Sequence, residues 1–204
     1  MSSLIGLVQI VRKKTWGYLL AVALTSCSQV VYQPAPVVPT KSPLSYSTKV
    51  KLTHVEAYIV EPGSTMIPDP RIENHVTDVS TSPGLPRKEW EKSVADYLAA
   101  RKTFTYLSAD SQTDLDLAMR LNIYIDPGTM FQFNHAYLAR VDASLTNPRT
   151  GRTLTYLGLG KSTGEVSRGG TEDDQRPVNL AVQSALNDLF GKIENDQRLR
   201  KYRL

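Results

Sequence analysis

The fold is decided by one stretch of the chain, which reads LDLAMRLNIYI at residues 115–125. Apolar side chains stand at every odd-numbered position, and the even-numbered positions carry Asp116, Ala118, Arg120, Asn122 and Tyr124. A period of two places successive side chains on opposite faces of a β-strand, so one face should be buried while the other meets water. A half-buried strand of this length predicts a sheet that is covered on one face only.

Further strands and two helices are predicted on either side of this stretch. Alternating or β-rich runs predict strands at residues 49–60, 103–107, 137–145 and 152–163. The first run changes phase at Thr53 and His54, which predicts a β-bulge. Apolar residues at helical spacing predict one helix over residues 86–101 and another from near Pro177 to Ile193. We therefore expect an α+β fold: a mainly antiparallel four- to five-stranded sheet with two amphipathic helices packed on one face.

The N-terminus has the three-part layout of a secretory signal peptide. Basic residues at 12–14 precede an apolar run at 16–24, and small residues follow up to Cys27. The run is too short to span a bilayer permanently. Residues 1–26 are therefore predicted to be removed on export.

The residues Leu24-Thr25-Ser26-Cys27 resemble the bacterial lipobox, in which the cysteine thiol accepts diacylglycerol and cleavage leaves that cysteine first. Cys27 is the only cysteine, and a lone thiol at the end of an apolar run is better explained by lipidation than by chance. The resemblance implies cleavage between Ser26 and Cys27 and lipidation of Cys27. By the family's rule, the absence of an aspartate directly after the cysteine implies sorting to the outer membrane, with the domain on its periplasmic face.

Four segments follow from this layout. They are a signal peptide at 1–26, a lipidated proline-rich tether at 27–48, a single α+β domain at 49–196 and a basic tail at 197–204. At about 3.1 Å per residue, the tether would reach up to about 60 Å from the lipid. Residues 61–85 contain four prolines and two glycines without periodicity, which is typical of a functional or disordered loop.

The charge balance gives no reason to expect a nucleic-acid partner. The formal net charge is +4, but three positive and no negative charges lie in the predicted signal peptide, so the mature chain carries about +1. The basic character of the chain is thus largely a property of its signal peptide.

No catalytic centre, metal site or cofactor is predicted. The string GLGKST at residues 158–163 ends like a phosphate-binding loop, but Thr155 stands where the first glycine should be and no helix follows. We interpret it as a strand whose glycines allow a bend or close packing, and we expect no nucleotide. The three histidines lie on different elements without metal-ligand spacing. Asp114 and Asp116 are interpreted as a solvated strand edge rather than as paired catalytic carboxylates.

Two aromatic residues are the candidates for contact with a partner. Phe131 and Phe133 follow the turn signal Asp126-Pro127-Gly128, at a place where exposed aromatics are expected. The alternative is that both rings belong to the core.

The pattern of elements resembles a group of outer-membrane lipoproteins: the curli-secretion lipoprotein, the Pel-polysaccharide lipoprotein and the lipoprotein activators of penicillin-binding proteins. The resemblance rests on TDLDL at residues 113–117 opening a strand, on VDASL at 141–145 running into NPRTGRTL at 147–154, and on the final helix. The auxiliary lipoproteins of lipid-transport systems and lipopolysaccharide-assembly lipoproteins share a similar element order.

Two functions follow as expectations. The first is a non-catalytic accessory or assembly factor of an envelope secretion or biogenesis machine, acting on an envelope protein or as a homo-oligomer. It would work through a sheet edge, the 61–85 loop or self-association. The second is a lipid- or glycan-binding lipoprotein of an envelope transport system, with a concave apolar pocket between helices and sheet.

Overall fold

The computed structural model of this chain describes residues 31–60, 79–81, 85–107, 113–126, 134–165 and 172–201. The predicted processing residues Ser26 and Cys27 lie outside these ranges, as do the candidate contact residues Phe131 and Phe133. Most of the predicted 61–85 loop lies outside as well.

The described residues form six strands and three helices. In chain order they are β1 Leu44–Val60, β2 Val79–Thr81, α1 Arg87–Arg101, β3 Phe104–Leu107, β4 Leu115–Asp126, β5 Asn134–Thr146, β6 Thr153–Glu165, α2 Glu172–Asn195 and α3 Gln197–Lys201. Within these ranges, no helix combines the length and the hydropathy needed to cross a bilayer.

The strands form one mixed sheet in the order β2-β1-β4-β5-β6, and β3 pairs with the first residues of β1. β1 runs parallel to β3 and β4, whereas the other pairs are antiparallel. The predicted α+β class is confirmed, but the sheet is mixed rather than purely antiparallel.

The parallel pairing has a physical cause in the connection between β1 and β4. A helix, α1, lies between them in the chain, and a helical crossover returns the chain to the end of the sheet from which it started. The β1–β4 register shifts between Leu52 and His54, so the predicted bulge in the first strand is confirmed.

The odd-numbered side chains of β4 lie at the centre of the core. Leu115, Leu117, Met119, Leu121 and Ile123 are each at most 1 % exposed, and they belong to one cluster with buried residues of α1 and α2. The burial predicted from the period of two is confirmed. The same period sends the even-numbered side chains to the opposite face of the sheet. Asp116 and Arg120 are exposed there, but Asn122 and Tyr124 are buried, so the prediction that this face meets water is wrong for the second half of β4.

Helix α2 lies directly on β6, because two glycines remove the side chains that would hold it away. A Cβ on Gly158 would lie 2.3 Å from the carbonyl oxygen of Ala185, and one on Gly160 only 2.0 Å from that of Ala181. Both distances are far below van der Waals contact, so helix backbone meets strand backbone. The interpretation of GLGKST as a strand with glycines for close packing is confirmed.

A buried polar cluster joins the C-terminal turns of α1 and α2. The guanidinium of Arg101 donates to both carboxylate oxygens of Glu194, at 2.7 and 2.9 Å, and Thr103 Oγ1 donates to the same carboxylate at 2.7 Å. The Glu194 side chain is only 8 % exposed. Burial alone would raise the pKa of Glu194, but the hydrogen bonds from Arg101 and Thr103 outweigh it and hold that pKa below its ordinary value.

The segment before residue 49, which was predicted to be a tether, contacts the domain. β1 begins at Leu44, and Tyr32 is fully buried in the core cluster. We call residues 31–40 the strap, because they pack along the domain instead of leaving it. Proline content indicates local backbone preference only, so it does not reveal that a single aromatic residue anchors the segment.

The C-terminal residues predicted to be a basic tail include a short helix. Residues 197–201 form α3, in which Leu199 is buried and its carbonyl oxygen accepts a hydrogen bond from Tyr46. Arg200 donates to the carbonyl oxygen of Glu194, in the manner expected for a basic residue at the C-terminus of a helix.

Candidate functional site

The face of the sheet opposite the buried row carries an ordered set of polar and aromatic side chains. We call it the open face and define it by residues of β1, β4 and β5: His54, Glu56, Tyr58, Arg120, Asn122, Tyr124, Leu138, Arg140 and Asp142. Each is an alternate residue of its strand, so all nine share one side of the sheet.

The strand register arranges these residues in three rows across the sheet. One row consists of Tyr58, Tyr124 and Leu138, the next of Glu56, Asn122 and Arg140, and the last of His54, Arg120 and Asp142. Directly opposed residues on neighbouring strands are close enough for their side chains to interact. The register therefore brings together residues that are up to 88 positions apart in the sequence.

Charged and polar groups are paired on the open face. Arg140 donates through Nε and one terminal nitrogen to the two carboxylate oxygens of Asp142, both at 2.8 Å. His54 Nε2 lies 3.0 Å from a carboxylate oxygen of Glu56, which also accepts a hydrogen bond from the hydroxyl of Tyr58. That hydrogen bond is the main reason why the pKa of Glu56 is lowered, so its carboxylate stays ionised.

Two stacked tyrosines form the aromatic part of the open face. The ring centroids of Tyr58 and Tyr124 are 5.2 Å apart and the rings are inclined by 17°. Burial, helped by the carboxylate of Glu56, raises the pKa of Tyr58 to about 12, so its hydroxyl remains a donor at neutral pH. Asn122 beside them is buried, and its Oδ1 has no hydrogen-bond partner among the described residues.

Charged side chains of the helices bind backbone groups at the edges of the sheet. At β6, Asp188 of α2 accepts a hydrogen bond from the backbone nitrogen of Leu159 at 3.0 Å, and Lys192 donates to the carbonyl oxygen of Leu157 at 2.8 Å. At β1, Glu91 of α1 accepts from the backbone nitrogen of Leu52 at 2.8 Å. Side chains that cover strand edges in this way oppose the addition of another strand.

A polar cleft of about 680 Å³ lies at the end of the sheet where the hairpin turn at residues 147–152 connects β5 to β6. Its lining includes Tyr46, Asp114, Asn147, Arg149 and Arg200. The guanidinium of Arg200 is already engaged by the carbonyl oxygens of Ser42 and Glu194.

The residues considered for chemistry in the sequence have local structural contacts. Asp114 accepts hydrogen bonds from the backbone nitrogen and hydroxyl of Ser47, and Asp116 accepts one from Thr113. Within the described ranges, no group of three or more histidine, cysteine or acidic residues is placed to hold a metal ion.

Sequence reasoning missed the open face as a unit. The alternation in β4 indicated a polar face, but not which residues of β1 and β5 lie beside Arg120, Asn122 and Tyr124. The neighbours of these residues on β1 follow only from the pairing of β1 with β4. That pairing depends on the parallel crossover, which the sequence pattern does not reveal.

Comparison with known proteins adds no family and no function. No family model matches the chain, and no curated protein matches it. Among solved structures, it is similar to a Xanthomonas campestris protein of the family DUF330, with 16 % identity, 80 % of this chain and 92 % of that chain covered, and a TM-score of 0.47. A hypothetical protein from Chlamydia trachomatis shows 11 % identity, coverage of 74 % and 96 %, and a TM-score of 0.40.

A third similar structure is a Helicobacter pylori protein described as a neuraminyllactose-binding hemagglutinin homolog. It has 13 % identity, coverage of 83 % and 91 %, and a TM-score of 0.44. Likenesses of this size carry no inference about what the present chain binds.

Proposed function

We propose that this protein is a non-catalytic lipoprotein of the outer membrane, anchored through Cys27 and facing the periplasm. It serves as an accessory or assembly factor of an envelope secretion or biogenesis machine, and it binds an envelope protein through the open face. In this proposal the two long helices cover one face of the sheet, and the partner binds the exposed part of the other face around Arg120.

The observation that carries the proposal is the composition of the open face. Tyrosine and arginine dominate the binding energy of protein interfaces, and here the exposed Arg120 and the partly exposed Tyr58 and Arg140 stand on one sheet surface. The ring of Tyr124 is buried beneath this surface and supports Tyr58. Charges of both signs alternate, which suits a protein surface better than a polyanion or a bilayer.

Two alternative modes of action, addition of a strand to the sheet and binding of a lipid, have less support. Strand addition would first have to displace Asp188 and Lys192 from the edge of β6. A lipid carrier needs an apolar cavity between helices and sheet, but at Gly158 and Gly160 the backbones of α2 and β6 are already in contact. The binding of a lipid or glycan is therefore kept as an outcome of the experiment below.

In-cell crosslinking tests the proposal in the full-length protein. A photo-crosslinking amino acid replaces Lys161, which is exposed and lies beside Leu138 at the end of a row of the open face. We expect it to trap one defined envelope protein. The substitution Arg120→Glu should lower the trapped yield about tenfold, because a like charge facing the partner costs binding free energy.

The helix side supplies the matched control. Lys88 is an exposed cation on α1, so Lys88→Glu makes the same change of charge and should leave the yield unaltered. A crosslinker at Lys88 should not trap the same protein. A ladder of the protein's own multiples would make a second copy the partner, whereas lipid or glycan adducts alone would overturn the proposal in favour of a carrier.

A further inference from the structure

The strap follows α2 along almost its whole length. The carbonyl oxygen of Val31 accepts a hydrogen bond from Gln175 in the first turns of the helix. The backbone nitrogen of Thr40 donates to the carbonyl oxygen of Arg101, whose side chain binds Glu194 near the end of the helix. Nine residue steps of extended chain span about 30 Å, and nineteen helical steps span about 28 Å. The strap is therefore close to fully extended and has no slack.

A row of amide side chains on α2 holds the strap. Gln175, Asn179 and Gln183 are spaced by four residues and so share one side of the helix. Asn179 Oδ1 accepts from the backbone nitrogen of Gln33 at 3.1 Å, and Gln183 Oε1 accepts from the backbone nitrogen of Ala35 at 3.2 Å. These side chains take the place of the strand that an extended segment would otherwise pair with.

Tyr32 anchors the strap in the core. Its ring is fully buried and stacks on Trp90 of α1 at a centroid distance of 6.1 Å, and its hydroxyl donates to Gln183. Burial raises the pKa of Tyr32, so the phenol stays neutral and remains a donor. Burying a tyrosine ring removes its apolar surface from water, and a solvated tether would not gain this stabilisation.

We infer that the strap fixes the orientation of the domain on the membrane, with the end at which α2 begins resting on the lipid surface. The inference rests on the proposed lipidation of Cys27. Only residues 28–30 separate that cysteine from Val31, so the two Cα atoms lie within about 14 Å of each other. The tether expected from the sequence would have allowed about 60 Å.

The strand register identifies both ends of the domain. A Cβ on Gly164 of β6 would lie 2.8 Å from the ring of Pro177, so the C-terminal end of β6 lies beside the start of α2 and faces the lipid. The hairpin at residues 147–152 and its polar cleft lie at the other end of β6 and point into the periplasm. The two ends are about 35 Å apart along the strand.

Hydrogen exchange on the full chain tests the strap itself, without any need for lipid. The double variant Asn179→Ala/Gln183→Ala removes both acceptors and should speed exchange of the Gln33 and Ala35 amides at least about tenfold. Leu180→Ala is the control, because Leu180 is exposed on the same helix. Tyr32→Phe keeps the buried ring and should give a smaller increase, which covers the case in which the double variant does not fold.

Energy transfer tests the orientation. Cys27 is the only cysteine, so once it is lipidated an introduced cysteine takes a fluorophore at one site. The mature lipidated protein, which begins at Cys27, is placed in vesicles of phosphatidylethanolamine and phosphatidylglycerol that contain a headgroup-labelled acceptor lipid. A donor fluorophore at Thr163→Cys should transfer energy strongly to the labelled lipid, and one at Thr150→Cys only weakly. In the Asn179→Ala/Gln183→Ala background the two transfer efficiencies should become similar.

The possible failures are distinct. The mass of the mature protein shows whether Cys27 carries lipid. Absence of lipid would overturn the proposed function and the orientation together, whereas the contacts between the strap and α2 are tested by hydrogen exchange alone. Equal transfer from both positions in lipidated wild-type protein would overturn the orientation. If the Gln33 and Ala35 amides exchange as fast as those of a solvated segment, the strap is not held on α2 and cannot be the cause of the orientation.

Discussion

Replacing Gly160 by alanine should destabilise the protein by about 3 kcal/mol or more and lower its melting temperature by roughly 10 °C. The new Cβ would lie 2.0 Å from the carbonyl oxygen of Ala181 and 2.4 Å from the backbone nitrogen of Ala185. Both neighbours are helix backbone and cannot rotate away, so α2 would have to lift from the sheet. That movement would loosen buried side chains along the helix, including Leu189. Thermal or urea unfolding measures the effect.

The same substitution at Gly191 is the matched control. Gly191 lies within α2, and a Cβ there would meet nothing within 4 Å. Since alanine favours a helix over glycine, Gly191→Ala should stabilise by up to about 1 kcal/mol. If Gly160→Ala were as harmless as Gly191→Ala, the direct contact of α2 with β6 would be wrong.

Removing the carboxylate of Glu194 should cost about 3–5 kcal/mol, because the charge of Arg101 would remain buried without its partner. Thr103, which is fully buried, would lose its acceptor as well. Denaturant unfolding of Glu194→Ala gives the free energy directly. The control is Asp96→Ala, which breaks the exposed pair with Lys92 and should change stability by less than about 0.5 kcal/mol.

This ion pair also predicts a dependence of stability on pH. The pKa of Glu194 is lowered in the folded state, so its contribution is complete above the ordinary value of 4.5 and is lost as the pH falls through the folded value. Glu194→Gln cannot titrate and should therefore lose less stability than the wild type over this acid range. A steeper acid slope in the variant would contradict the assignment.

The strands that alternate most strictly were predictable from the sequence alone. The period of two in β4 depends only on which side chains avoid water, and this preference is local to each residue. For the same reason the apolar stripe from Val178 to Ile193 predicts α2. The two glycines in GLGKST could be interpreted as close packing, but not assigned to Ala181 and Ala185.

The strap shows why other parts were not predictable. Its prolines favour an extended backbone in any setting, so composition cannot separate a free tether from a segment held on a helix. The difference lies in Tyr32 and in the amides of Asn179 and Gln183, which follow it by about 150 positions. Contacts over that separation exist only once the chain has folded.

The period of apolar residues was enough to predict the long strands, the two long helices and the buried side of each, although not the short β2 and α3. It also contains the signal-like N-terminus and the single cysteine from which lipidation is proposed. Only the tertiary structure decided the parallel pairing of β1 with β4, the rows of the open face and the course of the strap. Each of these depends on which distant backbone groups and side chains meet, and that choice is made by the packing of the whole domain rather than by local preference.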